Sequence, residues 1–142
     1  MPRLVSRSRR RAAADTRTPD YAGPVLLIDD DPGFLDSLVL LLETHGFRVV
    51  TARNGAHGLQ MFRAHSPAVV VTDIMMPEQD GIGAMLQMRR ERRDVKIIAI
   101  SGGGTLDKTN YLAIAEKLGA DAAFQKQDTE ALIETLDEML KR

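Results

Sequence analysis

The chain has 142 residues, of which 44% are hydrophobic and 27% charged, a mixture that fits one globular domain with a single core. We therefore expect no second, output-type domain. The chain has no cysteine, which excludes disulfides, thiolate metal sites and a cysteine nucleophile, and which suits the reducing cytoplasm. Its longest apolar runs fall far short of the ~20 residues that cross a bilayer, so we expect no contact with a membrane.

The first 23 residues differ in composition from the rest of the chain. They hold six arginines and two aspartates, a net charge of +4, so the remainder carries −5 of the total of −1. They are rich in Ser, Arg and Ala and lack apolar periodicity, which predicts a basic, disordered extension over residues 1–23 and a folded domain over residues 24–142. A nucleic-acid arm, an Arg-rich transit peptide and an upstream start codon are the alternatives for the extension.

From Pro24 onward, short apolar runs alternate with amphipathic stretches, a pattern typical of βαβ units and a parallel sheet. The first, third and fourth runs are continuously apolar, which places them in the centre of the sheet with helices on both faces. The five predicted strands are Val25–Ile28, Arg48–Thr51, Ala68–Thr72, Lys96–Ile100 and Ala122–Gln125.

Five helices are predicted between and after these strands. The first begins at Asp31, which can cap free backbone N–H groups, followed by a proline that the first helical position tolerates. In the third, Met85, Leu86 and Met88 are expected to face the core. The predicted helices run from Asp31 to about Gly46, Gly55–Ala64, Ile82–Glu91, Leu106–Leu118 and Thr129–Lys141.

Polar residues follow four of the five strands, where open parallel sheets bind their ligands. If the first and third strands are neighbours, Asp29, Asp30 and Asp73 converge in one crevice. Three carboxylates at close range repel one another unless a cation neutralises them, and oxygen ligands favour Mg²⁺ or Mn²⁺. The residues at the strand ends are Asp29, Asp30 and Asp31 after the first, Asp73 after the third, Ser101 and Gly102–Gly104 after the fourth, and Lys126 after the fifth.

Beside such an ion, Lys126 supplies a cationic donor and Ser101 a hydroxyl, and the glycines from Gly102 onward let backbone N–H groups approach an anion. This combination predicts a site for a phosphoryl group, with one carboxylate as the nucleophile. Asp31, which precedes a proline, is more simply interpreted as a helix cap. A single Ser or Lys at a strand end is usually a loop residue, so the prediction depends on all these residues occurring together.

Four ordered motifs resemble those of bacterial response-regulator receiver domains. The resemblance covers about residues 24–142 and implies a flavodoxin-like fold, a doubly wound five-stranded parallel sheet with strand order 2-1-3-4-5 and five helices. The motifs are Val25-Leu-Leu-Ile-Asp-Asp-Asp31, Val71-Thr-Asp-Ile-Met-Met-Pro-Glu-Gln-Asp-Gly81, Ile98-Ala-Ile-Ser101 and Leu118-Gly-Ala-Asp-Ala-Ala-Phe-Gln-Lys126.

The resemblance also implies a role for individual residues. By this resemblance, Asp73 is the phosphoacceptor. Mg²⁺ is bound by Asp30, Asp73 and the carbonyl of Met75, with Asp29 acting largely through water. The phosphoryl oxygens are contacted by Ser101 and the adjacent Gly102, and the phosphate pairs with Lys126.

As a member of this family, the chain would accept a phosphoryl group from a sensor histidine kinase or a histidine phosphotransfer protein. It would then signal to a downstream protein through the face of the fourth helix, fifth strand and fifth helix. The resemblance also allows a homodimer, and we expect no direct nucleic-acid contact. The chain would not be an enzyme except toward its own phosphorylation and dephosphorylation. A phosphate sink and a domain cut from a hybrid kinase are alternative uses of the same fold.

Two residues depart from the pattern of the family. Ala123 occupies the position of an aromatic residue that often rotates inward with the Ser/Thr movement, so the Ser101 loop becomes the expected moving part. Gln127 follows the lysine where proline is common. Because a cis bond costs a non-proline residue about 2.5 to 4 kcal/mol, we predict a trans bond between Lys126 and Gln127.

A phosphatase of the haloacid-dehalogenase type is the rival hypothesis. Asp29 and Asp31 match its first motif, with Asp29 as the nucleophile and with Ser101 and Lys126 as its next motifs. Against it, the Asp31-Pro32 turn lacks the small hydroxyl or apolar residue that usually follows that motif. No acidic metal-binding motif follows Lys126, and the chain lacks the length for a cap domain.

Overall fold

A computed structural model describes residues 21–74, 80–102, 113, 115 and 117–142. Within these residues no helix is long and apolar enough to span a membrane. The elements are β1 (Val25–Ile28), α1 (Pro32–Thr44), β2 (Val49–Ala52), α2 (Gly55–His65), β3 (Val69–Asp73), α3 (Asp80–Glu91), β4 (Lys96–Ser101), β5 (Ala122–Gln125) and α4 (Thr129–Leu140).

The described residues thus form four named helices, where the sequence predicted five. The predicted helix at Leu106–Leu118 lies mostly outside the described residues, although residues 113, 115 and 117 are helical. Every other predicted strand and helix is present, with its ends within two residues of the prediction.

The five strands form one parallel sheet in the order β2-β1-β3-β4-β5, as predicted. The continuously apolar strands β1, β3 and β4 occupy its centre. Ile28 of β1 lies opposite Thr72 of β3, so the residues that follow, Asp29 and Asp73, reach the same point of the carboxyl edge.

Alternate side chains of the central strands enter two hydrophobic layers. One layer holds α1 and α4, and the other holds α2 and α3. The first layer includes Leu35, Leu38, Leu42, Leu132, Leu136 and Leu140 around Val25, Leu27, Val69 and Val71. The second includes Phe62, Ala84, Met85 and Met88 around Leu26, Ile28 and Val70.

The prediction that Leu86 faces the core is wrong. Its side chain is 41% exposed, whereas Met85 and Met88 are 1% and 0% exposed. At about 100° of rotation per residue, positions 85, 86 and 88 spread over about 160° of the helix surface, whereas positions 84, 85 and 88 lie within about 100°. The buried stripe of α3 instead includes Ala84, next to Met85.

At the amino edge of the sheet, opposite the predicted site, Arg89 connects α3 to the starts of β4 and β5. Its guanidinium donates to the carbonyls of Val95 at 2.7 Å and Gly119 at 2.8 Å, and to Asp121 Oδ2 at 2.9 Å. The same Asp121 oxygen accepts the backbone N–H of Ile97 at 2.8 Å. One ion pair with backbone partners therefore holds three chain segments together.

Tyr21 connects the start of the described chain to the last helix. Its ring stacks on Phe47 with centroids 4.2 Å apart, and its hydroxyl donates to Asp137 Oδ1 at 2.6 Å. The backbone N–H of Ala22 donates to the Leu140 carbonyl at 2.8 Å. The last residues of the predicted extension thus pack against the domain, and the preceding ones lie outside the described residues.

Candidate functional site

Three aspartates lie at the carboxyl edge, where β1 and β3 are neighbours. Asp29 and Asp73 are buried, with 1% and 4% of their surface exposed, and Asp30 is exposed. One carboxylate oxygen from each lies within 4.8 Å of the others. The structure therefore brings together the three carboxylates that the sequence suggested would share one crevice.

The turn after β1 fixes Asp29 and directs Asp31 elsewhere. The backbone N–H of Asp31 donates to Asp29 Oδ1 at 2.9 Å. The Asp31 side chain accepts the N–H groups of Gly33 at 3.0 Å and Phe34 at 3.2 Å, and so caps α1 as predicted. Asp31 is thus occupied at the helix start, which disfavours the phosphatase motif that pairs it with Asp29.

Lys126 follows β5 and reaches into the acidic crevice. Its Nζ lies 2.7 Å from Asp29 Oδ2 and 3.1 Å from Asp73 Oδ2, and its side chain is 18% exposed. Its backbone N–H donates to the Ser101 carbonyl at 2.8 Å. A single ammonium thus bridges the two buried carboxylates.

Phe34 is the site residue that the sequence did not reveal. Its ring centroid lies 4.6 Å from Lys126 Nζ, within the range of a cation–π contact. A signal was available, because Phe34 lies three residues after the cap Asp31, in the first helical turn beside the crevice. The contact itself depends on the position of α1 relative to the end of β5. That position cannot be read from the spacing of residues along the chain.

Burial and charge act on the site in opposite directions. Burial raises the pKa of Asp29 and the Asp73 charge adds to this, although Lys126 and the Asp31 N–H partly counteract it. Burial by itself would lower the pKa of Lys126, but the Asp29 hydrogen bond and the Asp73 charge together raise it. The ammonium is therefore kept charged in the site.

Among the residues that the structure describes, one ammonium does not balance three carboxylates, and these groups carry an excess of negative charge. The donors in it are carboxylate oxygens, the hard ligands that Mg²⁺ and Mn²⁺ prefer. Both the charge and the chemistry of the donors fit a divalent cation of this class.

Ser101 and Gly102 end β4 beside the crevice. Asp73 lies opposite Ile100 in the β3–β4 register, so Ser101 stands one residue further along the same edge. Ser101 is buried, Gly102 is exposed, and a Cβ at Gly102 would lie 3.8 Å from Lys126 Cδ. The predicted ligand Met75 and the last two glycines of the run, residues 103 and 104, lie outside the described residues.

The two departures from the family pattern have simple structural counterparts. The peptide bond between Lys126 and Gln127 is trans, as predicted. No cis peptide bond occurs among the described residues. Ala123 packs in a small cluster near Ile74, whereas Phe124 packs in the layer of α1 and α4. The aromatic residue of β5 thus belongs to a different layer from the position where the family often carries one.

Comparison with known proteins agrees with this geometry. The sequence profile of the family "Response regulator receiver domain" matches residues 25–137. The chain is 30% identical over 119 residues to the transcriptional regulatory protein GlrR of Escherichia coli, covering 83% of this chain and 26% of that protein. It is 31% identical to the protein PilH of Pseudomonas aeruginosa, covering 82% of this chain and 96% of PilH.

Solved structures give the same result. The response regulator protein TrrA of Thermotoga maritima, in complex with Mg(2+)-BeF, has a TM-score of 0.73 and 26% identity, covering 83% of this chain and 99% of TrrA. The receiver domain of the Francisella response regulator 1452 has a TM-score of 0.73 and 26% identity, and the match covers 82% of this chain and 95% of that domain. The chain spans about a quarter of GlrR but nearly all of PilH. The family profile, the curated relatives and the shared fold together show that this chain belongs to the response regulator receiver domain family of two-component systems.

Proposed function

We propose that Asp73 accepts a phosphoryl group from a sensor histidine kinase or a histidine phosphotransfer protein, and that this changes the protein contacts of the domain. The observation that carries the proposal is the position of Asp73. Its carboxylate lies 3.1 Å from the Lys126 ammonium and belongs to the cluster of three aspartates. A nucleophile, a cation and a candidate metal site thus meet at one point.

The transfer needs an attacking oxygen and a way to neutralise charge. An Asp73 oxygen forms the new P–O bond as the P–N bond to the donor imidazole breaks, and the leaving nitrogen takes up a proton. The Lys126 ammonium is placed to pair with the phosphoryl oxygens, and the Ser101 hydroxyl and the Gly102 N–H lie at the same edge. These residues act on the chain's own phosphorylation and dephosphorylation, with no turnover of an external substrate.

Asp29, Asp30 and Asp73, with the Met75 carbonyl, would hold Mg²⁺, and Mn²⁺ has the same ligand preference. When bound, the ion supplies positive charge beside the acceptor carboxylate and the incoming phosphoryl oxygens. The likeness to TrrA, whose structure contains Mg(2+)-BeF, supports this assignment.

A connection from the site to a protein-binding face runs through β4 and β5. The Lys126 N–H binds the Ser101 carbonyl at 2.8 Å, so a shift of either residue displaces the other strand end. β5 leads directly into α4, whose exposed side a downstream protein can contact. The helix predicted before β5, which completes this face, lies mostly outside the described residues.

The test is incubation with a small-molecule phosphodonor and Mg²⁺, followed by intact mass measurement. We expect the wild-type chain to gain one phosphoryl group and Asp73→Asn to gain none. Asp31→Asn is the matched control, because it changes a neighbouring aspartate that caps α1, and it should be phosphorylated like the wild type. A folded wild-type chain of unchanged mass, or undiminished phosphorylation of Asp73→Asn, would overturn the proposal.

A further inference from the structure

We propose that Phe34 is a positioning residue that holds the Lys126 ammonium between Asp29 and Asp73 through the face of its ring. The inference rests on the proposed function, since it assigns Phe34 a part in the same phosphoryl transfer. It starts from the 4.6 Å separation of Lys126 Nζ and the Phe34 ring centroid.

The ammonium of Lys126 has three N–H groups, and its two buried partners face only part of it. Asp29 and Asp73 lie at 2.7 Å and 3.1 Å, and Phe34 lies over the ammonium within the ~6 Å reach of a cation–π contact. Only 18% of the Lys126 side chain is exposed, and the Phe34 ring is one of the groups next to its ammonium. Desolvation strengthens the attraction between the cation and the ring.

A ring supports the ammonium differently from a third oxygen acceptor. A carboxylate or carbonyl would compete for an N–H in a fixed direction, whereas the quadrupole of a ring attracts the cation without requiring one orientation. The Lys126 ammonium can therefore turn from the Asp73 carboxylate toward a phosphoryl oxygen while Phe34 keeps it in the crevice.

The support matters because the two ion pairs hold only the tip of a flexible Lys126 side chain. Its four-carbon stem is flexible, and the following residue is Gln127, which does not restrict the turn as a proline ring would. Phe34 is fixed from two sides. Its N–H donates to the Asp31 cap at 3.2 Å, and its side chain packs against the hydrophobic layer of α1 and α4.

The test compares Phe34→Leu, which keeps an apolar side chain without a ring, with Phe34→Tyr, which keeps the ring. One readout is the ring-current shift of the Lys126 Cε protons, measured by NMR without phosphodonor. The other is the rate of phosphorylation by a small phosphodonor at saturating Mg²⁺. Leu40→Ala, which truncates a 69% exposed leucine on the same helix, is the matched control.

We expect Phe34→Leu to abolish the ring-current shift and to slow phosphorylation about threefold to tenfold, while Phe34→Tyr and Leu40→Ala keep wild-type values. Equal rates in wild type and Phe34→Leu would overturn the inference, as would equal losses in Phe34→Leu and Phe34→Tyr. Absence of phosphorylation in the wild type would instead overturn the proposed function. The proton shift reports the contact between ring and lysine independently of that outcome.

Discussion

The two edges of the parallel sheet differ in how their charged side chains are paired. At the carboxyl edge, the buried Asp29 and Asp73 both pair with the Lys126 ammonium, and the exposed Asp30 adds a third carboxylate. At the amino edge, Arg89 pairs with Asp121 and also donates to the backbone carbonyls of Val95 and Gly119. Within the described part of the chain, the carboxyl edge has more negative than positive groups, whereas Arg89 and Asp121 at the amino edge are paired.

This difference separates residues that stabilise the fold from residues that are held ready for a ligand. A folded domain gains stability when its charges are paired and hydrogen-bonded. It loses stability where a functional site holds like charges close together. Crowding of carboxylates is therefore a mark of a functional site, because a bound cation relieves the repulsion between them. Substitutions at the amino edge should therefore lower stability, whereas substitutions at the carboxyl edge should mainly impair the binding of Mg²⁺ or the phosphorylation.

The largest effect on stability is expected at the amino edge. Arg89→Met keeps much of the side-chain volume but removes the four hydrogen bonds of the guanidinium, the longest of them to the Arg93 carbonyl at 3.4 Å. It should lower the free energy of unfolding by about 2 to 3 kcal/mol. Urea unfolding measures this change. Arg93→Met, an exposed position in the same segment, is the matched control and should stay within about 0.5 kcal/mol of wild type. Equal effects of the two substitutions would contradict the contrast between the edges.

The next largest effect is stabilisation of the carboxyl edge by Mg²⁺. A ligand that binds only the folded state at ten times its Kd adds about 1.4 kcal/mol to the free energy of unfolding. We expect the melting temperature to rise with millimolar Mg²⁺ in the wild type and to be insensitive to Mg²⁺ in Asp30→Ala. Glu43→Ala removes an exposed acid from the far end of α1 and should keep the full response. Equal melting temperatures with Mg²⁺ and with chelator in the wild type would refute a cation site at this edge.

A smaller loss of stability is expected when the Tyr21 hydroxyl is removed, and the size of this loss should depend on pH. The hydrogen bond from Tyr21 lowers the pKa of Asp137, with Lys141 adding to it, while burial and this same bond raise the pKa of Tyr21 to about 12. Since the folded pKa of Asp137 is depressed, its contribution is fully present above the unfolded value of about 3.9 and is lost as the pH falls through the folded value.

Tyr21→Phe should therefore melt at a lower temperature than wild type at pH 7, and the gap should shrink as the pH falls below about 4. Thermal unfolding followed by circular dichroism at several pH values measures it. A gap that stays constant from neutral to acidic pH would contradict a stabilising bond to ionised Asp137, because Tyr21→Phe keeps the ring that stacks on Phe47 and removes only the hydroxyl.

The smallest change in stability is expected for Asp73→Asn, although it should abolish phosphorylation. The substitution leaves one buried carboxylate, Asp29, facing one ammonium, so relief of crowding offsets the loss of a partner for Lys126. Without Mg²⁺, the free energy of unfolding should stay within about 0.5 kcal/mol of wild type. A loss as large as that of Arg89→Met would mean that Asp73 stabilises the fold as the amino edge does.

The sequence was informative where a feature depends on residues close together along the chain. Continuous apolar runs located β1, β3 and β4, and the Asp31-Pro32 pair located the start of α1. The strand order came from the resemblance of four motifs, and with it came the meeting of Asp29 and Asp73.

Features that depend on distant elements were missed. Arg89 and Asp121 are 32 residues apart, and Tyr21 and Asp137 are 116 apart, so their pairing follows only from the packing of helices against the sheet. Phe34 was missed for the same reason. Leu86 was assigned wrongly because helical spacing defines a stripe but does not fix which of its border residues is buried.

The most direct test of the account is to locate the phosphoryl group as a function of Mg²⁺. The wild-type chain is incubated with a small phosphodonor over a range of Mg²⁺ concentrations, and the modified residue is identified by tandem mass spectrometry. We expect a phosphoryl group on Asp73 whose yield rises with Mg²⁺ and is lost on chelation. Modification of Asp29 instead, as the phosphatase alternative requires, or labelling of Asp73 that does not depend on Mg²⁺, would contradict it.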